Sequence, residues 1–295
     1  MHLNYVVDSK KYENVFEILK QEFKMSARLI TKLKKNDKLL LNNVCIYSNR
    51  TVEINDKIDI YIDFIEDSSN ILPTKIDLDI LYEDEALLII NKPPHMPVHP
   101  SMLHYENTLS NGVKYYFDSI NLKRLIRPVN RLDKDTSGIV VFAKNEYIQE
   151  CLIQQMKNKN FKKEYLTIVE GIFKEKHGTI NAPISRKSDS IIERCVCDNG
   201  DVAITHYDVL DEFYNMSLLH VILETGRTHQ IRVHMAHIEH PILSDTLYGN
   251  FSYLINRQAL HAFKISFIHP ITQKEISIKS ELPHDMKKVI SIFKY

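Results

Sequence analysis

The chain has 295 residues, 44% hydrophobic and 26% charged, a balance that fits an ordinary globular protein with room for two domains. No run of about 18 apolar residues occurs, which argues against a membrane-spanning helix, and the start MHLNYVVDSKKYENVF lacks the pattern of a secretory signal. Its 38 basic and 38 acidic residues cancel, so the whole-chain charge gives no support to a nucleic-acid partner.

Residues from about 12 to 65 read as a small module within the first 65 residues. YENVFEILKQEF spaces Val15, Phe16, Ile18, Leu19 and Phe23 as on a helix. Ser26 is placed to cap a second helix, ARLITKLKKN. KLLLNNVCIYSN and TVEINDKIDIYID then alternate like short strands. Charge is uneven here. Lys20 to Lys38 hold seven basic residues against Glu22 and Asp37, whereas Glu53 to Glu85 hold eleven acidic residues against Lys57 and Lys75. The first stretch suits a phosphate backbone and the second repels one.

DSSNILPTKID reads as a linker, residues 66–76, and residues 77–295 as a second, larger domain. ILYEDEALLIINKP predicts strand, turn and strand, ending at the loop NKPPHMPVHP. IVVFAKN predicts a buried strand, and NEYIQECLIQQMKNK an amphipathic helix. EYLTIVEGIF, ITHYDVLDEF and MSLLHVILET alternate as strands, and THQIRVHMAHI is helical with Ile231, Met235 and Ile238 on one side. The fold class is α+β, with a mixed, largely antiparallel sheet. The four cysteines, Cys45, Cys151, Cys195 and Cys197, form no paired CxxC pattern and are expected as free thiols in a reducing cytoplasm.

Three clusters carry chemistry. In RPVNRLDKDTSGIVVFAK, Asp133 sits at the mouth of the buried strand. A carboxylate there is a nucleophile, an acid or a base, or it merely caps the turn. In FKKEYLTIVEG, Tyr165 opens a strand beside Lys162 and Lys163, where its ring either stacks on an extruded base or fills the core. LETGRTHQIRVHMAHIEHPILSDTLYG holds Arg227, His229, Arg232, His234, His237 and His240. Those histidines do not match zinc-ligand spacing, so no metal is expected. The arginines suit a carboxylate or phosphate partner, which a guanidinium grips in bidentate fashion.

Together and in this order the clusters closely resemble the RluA family of pseudouridine synthases. Its first signature, His-Arg-Leu-Asp, two variable residues, then Thr-Ser-Gly, appears as NRLDKDTSG. Its Lys-x-Tyr signature appears as KEY, and Gly-Arg-Thr-His-Gln-Ile-Arg appears whole from Gly226 to Arg232. Flanking text agrees, and the likeness covers residues 76 to 290. The first module is similar to the alpha-L RNA-binding domain, with Asn42-Asn43 where that domain often has Asn-Gly and where the turn is expected to differ. Asn130 stands where the family usually has His; we expect activity to survive with altered loop support or RNA contact.

The resemblance implies isomerisation of uridine to pseudouridine in RNA, with ribosomal RNA of the large subunit favoured over tRNA. It needs no cofactor. It implies Asp133, Tyr165 and Arg232 as catalytic residues: Asp133 as nucleophile, Tyr165 stacked on the flipped base, Arg232 paired with Asp133. RNA contacts fall to Arg131, Arg227 and His229, and on the basic helix to Arg28, Lys32, Lys34 and Lys35. A cytoplasmic monomer is expected. Two other readings stay open: a non-catalytic RNA-binding protein that kept the fold, which Asn130 favours, and a carboxylate glycosidase, which lacks a second catalytic carboxylate.

Overall fold

The computed structural model describes every residue except 48, 67, 103, 294 and 295. The first 61 residues hold β1 (His2–Val6), α1 (Val15–Gln21), α2 (Ala27–Lys35), β2 (Leu39–Leu41), β3 (Val44–Cys45) and β4 (Lys57–Tyr61). The strands pair in the order β1-β4-β2-β3. Both helices start as their sequences dictate, because the side chains of Asn14 and Ser26 accept from backbone N–H groups of the first turn. The turn between β2 and β3 does not depart from the Asn-Gly type. Asn42 and Asn43 both adopt left-handed φ, 50° and 66°, as a two-residue hairpin turn of the I′ type requires. Strand β1 was not expected; it is short, and it pairs with β4 from the opposite end of the module.

The rest of the chain builds one large sheet. In chain order its elements are β5 (Ile80–Glu83), β6 (Leu87–Lys92), α3 (Leu109–Ser119), β7 (Arg127–Pro128), β8 (Ser137–Ala143), α4 (Glu146–Lys157), β9 (Lys162–Glu170), β10 (His177–Asn181), β11 (Ile184–Arg186) and β12 (Arg194–Val196). Next come β13 (Ile204–Phe213), β14 (Met216–Leu223), α5 (Gln230–His237), β15 (Leu260–Ile268), β16 (Glu275–Lys279) and α6 (His284–Phe293). The strand order is β10-β13-β14-β9-β15-β8-β6-β5, with β16 on β15 and β7 on β8, while β11 and β12 form a separate hairpin. Pairing is antiparallel except between β15 and β8, the one parallel pair among the described residues. The class is α+β, as the pattern predicts. Among the described residues no helix is long and apolar enough to cross a membrane.

Strand alternation explains why the centre of this sheet is apolar on both sides. Leu88, Ile90, Val140 and Phe142 pack under Leu109, Val113 and Phe117 of α3. Leu87, Ile89, Ile139 and Val141 pack with Tyr147, Ile148 and Leu152 of α4, and the same cluster continues into Ile18, Leu29, Leu33 and Ile60 of the first module. At the parallel pair, Gly138 has φ +113°, and a Cβ there would lie 2.2 Å from the carbonyl oxygen of Ala262. Only glycine fits. The strand that follows Asp133 is thereby brought against β15, and Ala262 in turn pairs with Tyr165 on β9.

Residues 66–76, expected as a linker, have no regular structure but are sewn to the sheet; Asp67 lies outside the described residues. Ser68 Oγ donates to Arg124 O at 2.7 Å, and Asn111 Nδ2 to Leu72 O at 2.7 Å. Ile71 is buried among the residues under α3. Glu66 accepts from both guanidinium ends of Arg127, at 2.7 and 2.9 Å, and from Lys32 at 2.8 Å. Burial works against the Glu66 charge, but Arg127 and then Lys32 outweigh it and hold its carboxyl below the usual glutamate range. Removing one partner strands the others, so Glu66→Ala should cost about 3 kcal/mol in urea unfolding at neutral pH. Because the folded pKa is depressed, this stabilisation is complete above the unfolded value and disappears as pH falls through the folded one. Wild type and variant should therefore converge in acid, below pH ~4.

Candidate active site

Asp133 lies in the loop between β7 and β8, where Thr136 N–H closes a tight turn onto Asp133 O at 3.1 Å. Arg232, on the first turns of α5, donates from Nη1 to Asp133 Oδ2 at 3.0 Å. Its other two nitrogens grip Asp245, Nε to Oδ2 at 2.7 Å and Nη2 to Oδ1 at 2.8 Å. The guanidinium is thus shared between two carboxylates, one 1% exposed and the other open to the cleft at 26%. Burial opposes the Arg232 charge, but Asp245 first and Asp133 second overcome it, so its pKa rises above the ordinary value. The guanidinium carbon lies over the Tyr248 ring, 5.1 Å from its centroid.

His229 caps α5 in a left-handed conformation, φ 58°, and gives no side-chain bond to the helix. Instead its Nδ1 meets Tyr248 Oη at 2.8 Å. The same oxygen accepts the Arg194 N–H at 2.8 Å. Burial depresses the imidazole pKa, partly offset by Asp133, so the ring is neutral near pH 7. Its other nitrogen, Nε2, faces Asp133 Oδ2 at 3.9 Å. Gln230 fixes the approach to the helix: Oε1 accepts from Thr225 Oγ1 and Arg227 N–H, and Nε2 donates to Ile204 O.

These groups open on a cleft of about 740 Å³, within the usual range for small-molecule sites of ~300–1,000 Å³. Tyr165, 6% exposed, lines it. Burial, and then the nearby Asp133 charge, raise the phenol pKa well above 10, so it stays protonated. Arg131, Lys134, Lys163, Arg194, Arg227 and Arg232 line the same cleft, and Asp133 is its one acid among the described residues. The neutral chain therefore hides a strongly basic cavity. Burial depresses the Lys163 pKa, as expected of an ammonium at a cleft wall.

Asn130, which replaces the usual histidine, is 8% exposed and spends both halves of its amide on β8. Nδ2 donates to Ile139 O at 3.0 Å, and Oδ1 accepts from Val141 N–H at 2.9 Å. It holds the strand next to the Asp133 loop and takes away the support that this substitution lent to a non-catalytic reading.

The expected RNA contacts divide. Arg131 is exposed and lines both the main cleft and a second groove of about 590 Å³, which runs to Arg28 on α2; His99 also belongs to both. Arg227 is exposed at the cleft, with Nε on Val202 O and Nη1 3.5 Å from Asp201. Lys34 and Lys35 are exposed, and the Lys34 ammonium lies 4.7 Å over the Tyr47 ring. Lys32 does not share that face. It turns inward to Glu66 and to Glu146, at 2.8 and 2.9 Å, over the Phe64 ring, and belongs to the junction between module and sheet. The histidines also have separate duties: His234 is buried between Thr205 and Ala182 O, and His240 bonds Glu170 O beside Phe173.

A family model described as RNA pseudouridylate synthase matches residues 86–237, the stretch that carries Asp133, Tyr165 and Arg232. The chain belongs to this family. It is an RNA-modifying isomerase that converts uridine to pseudouridine. An uncharacterized RNA pseudouridine synthase of Bacillus subtilis, YhcT, is 40% identical over 278 residues, covering 93% of this chain and 91% of the relative. Ribosomal large subunit pseudouridine synthase D of Blochmanniella floridana is 37% identical over 282 residues, 86% of this chain and 88% of that one. Among solved structures, human RNA pseudouridylate synthase domain containing 1 superposes with a TM-score of 0.59 at 26% identity, covering 70% of this synthase and 83% of the human chain.

Asp245, Tyr248 and Gln230 were not expected at this site. Asp245→Asn keeps the shape but halves the negative charge that holds Arg232. Turnover by this synthase should fall by ~10- to 100-fold, with RNA affinity little changed; single-turnover kinetics beside equilibrium binding would separate the two.

Proposed function

We propose that Asp133 is the nucleophile, that Arg232 aims it, and that Tyr165 packs on the flipped base. The observation that carries this reading is the 3.0 Å contact between Arg232 and Asp133 at the mouth of the basic cleft. The target uridine leaves its stack to reach Asp133, at a cost of a few kcal/mol. Asp133 bonds to C1′ through a carboxylate oxygen as the N1–C1′ bond breaks with its electron pair on the uracil, and the carboxylate is released again when C5 attacks C1′. The base turns, C5 bonds to C1′, and the C5 proton departs as N1 gains one. The raised phenol pKa favours stacking over proton abstraction for Tyr165.

The same reading places the flanking RNA strand in the groove that leaves the cleft at Arg131 and His99 and ends at Arg28. Arg127 and Glu146 in that groove already have partners in Glu66 and Lys32. Lys34, Lys35, Arg227 and His229 supply further contacts. Large-subunit ribosomal RNA is the proposed substrate, in line with the relatives that carry that name. The protein acts as a cytoplasmic monomer in this reading, which sedimentation and cell fractionation would check.

Asp133→Ala and Asp133→Asn should both abolish pseudouridine formation and leave RNA binding in place; turnover in either removes Asp133 from its role. Replacing Arg28 and Arg131 together by glutamate should weaken binding and lower the slope of log affinity against log salt by about 2. An unchanged slope would move the strand elsewhere. Pseudouridine maps of ribosomal and transfer RNA, from cells with and without the gene, would identify the substrate.

A further inference from the structure

His99 and Arg131 are the two described residues that line both the cleft and the groove that leads to Arg28. RNA that runs from one to the other must pass them. Arg131 offers only donors, as do Lys134, Lys163, Arg194 and Arg227 around the cleft, and donors suit phosphate and carbonyl oxygens. His99 differs, and its neighbours decide how. Its Nδ1 lies 3.2 Å from Ser110 Oγ, at the buried start of α3. Ser110 Oγ in turn donates to Val98 O at 2.7 Å. A hydroxyl has one proton, and it approaches a carbonyl oxygen this closely only with that proton between them. Ser110 therefore meets the imidazole with a lone pair, and Nδ1 is the nitrogen that donates. Burial lowers the His99 pKa, and the positive charge of Arg131 lowers it further, so the ring is neutral near pH 7. A neutral imidazole has one N–H. Nε2 is thus a bare acceptor, on an exposed ring whose only hydrogen bond among the described residues is the one to Ser110.

The imidazole is not needed to hold its loop. Leu109 N–H reaches Pro97 O and Ser110 N–H reaches Val98 O, both at 2.9 Å, and Ser110 Oγ adds a third tie. What Nε2 can do is take a hydrogen bond. A phosphodiester has no proton to give, and its oxygens repel the lone pair. A nucleotide gives a proton from its ribose 2′-OH or from an exocyclic amine. We propose that His99 is a specificity-determining residue: its Nε2 accepts a hydrogen bond from a nucleotide flanking the target uridine, while Arg131 beside it takes the phosphate. This rests on the placement of the flanking RNA in the groove.

The probes are short synthetic RNAs that span a uridine the enzyme converts. In one set each flanking nucleotide in turn is 2′-deoxy. In the other each loses its exocyclic amine, with purine riboside for adenosine, inosine for guanosine and 2-pyrimidinone riboside for cytidine. With wild-type enzyme we expect one position to cost ~3- to 10-fold in kcat/KM, the usual worth of one hydrogen bond. A loss in the first set names the ribose as donor, and a loss in the second names the base. His99→Leu should cost the same on unmodified RNA and lose nothing more on the modified one, because the bond is already gone. His99→Gln, whose Oε1 reaches a similar distance, should restore part of the rate and the sensitivity to the modification. Circular dichroism confirms that each variant is folded, and the modified RNAs test the wild-type enzyme directly. The proposal is overturned if no modification slows wild type, if every loss multiplies with that of His99→Leu, or if His99→Leu stays within about twofold of wild type. If the double replacement of Arg28 and Arg131 leaves the salt slope unchanged, the groove placement falls first and His99 falls with it.

Discussion

Arg232 carries one positive charge and divides it between two carboxylates of opposite character. Asp245 is sealed and takes two of the three bonds, so it fixes the plane of the guanidinium. Asp133 takes the third bond and keeps its other oxygen free for the cleft. Most of the surrounding architecture serves this arrangement. Gln230 and the left-handed His229 start α5 at the right place. Tyr248 covers the guanidinium and orients His229. The glycine contact at Gly138 and Ala262 sets the depth at which the strand after Asp133 enters the sheet. An arginine held by a single exposed acid would swing; held by a buried one it is a fixed electrode.

Much of this was legible in the sequence, because the catalytic candidates fall within short ordered signatures. Asp133, Tyr165 and Arg232 were readable from NRLDKDTSG, KEY and GRTHQIR. The helices α1, α2 and α4 were readable from apolar spacing, and the start of α2 from Ser26, which caps it; the caps at Asn14 and Asn145 emerge from the structure. What escaped was long-range. Asp245 lies thirteen positions beyond Arg232 with no period of helix or strand to connect them. Tyr248 is one of fifteen tyrosines. Helix α3 carries Asn111 and Gly112 in its first turn, both weak helix formers, and it exists because Thr108 and Asn111 cap each other and because its apolar side finds the sheet.

Charge was the most misleading bulk property. Zero net charge coexists with a cleft that six cations line against one acid. Glu66, within the acidic stretch, is not a surface that repels RNA; it is spent on Arg127 and Lys32, and it fastens the first module to the sheet. One helix thereby performs two tasks on different faces. Lys32 turns inward as a rivet, while Arg28, Lys34 and Lys35 remain outward. A count along the sequence cannot separate these faces; a helix period together with knowledge of the neighbour can.

Asn130 gives the synthase a property that its usual counterpart would not. The amide clamps β8 through one donor and one acceptor, as a peptide group would. An imidazole in that place changes its donor count on gaining a proton near neutrality. A carboxamide has no such transition. The strand that leads away from Asp133 is therefore gripped identically in mildly acidic and mildly alkaline surroundings, and whatever acid sensitivity the enzyme has must originate elsewhere than in this hinge.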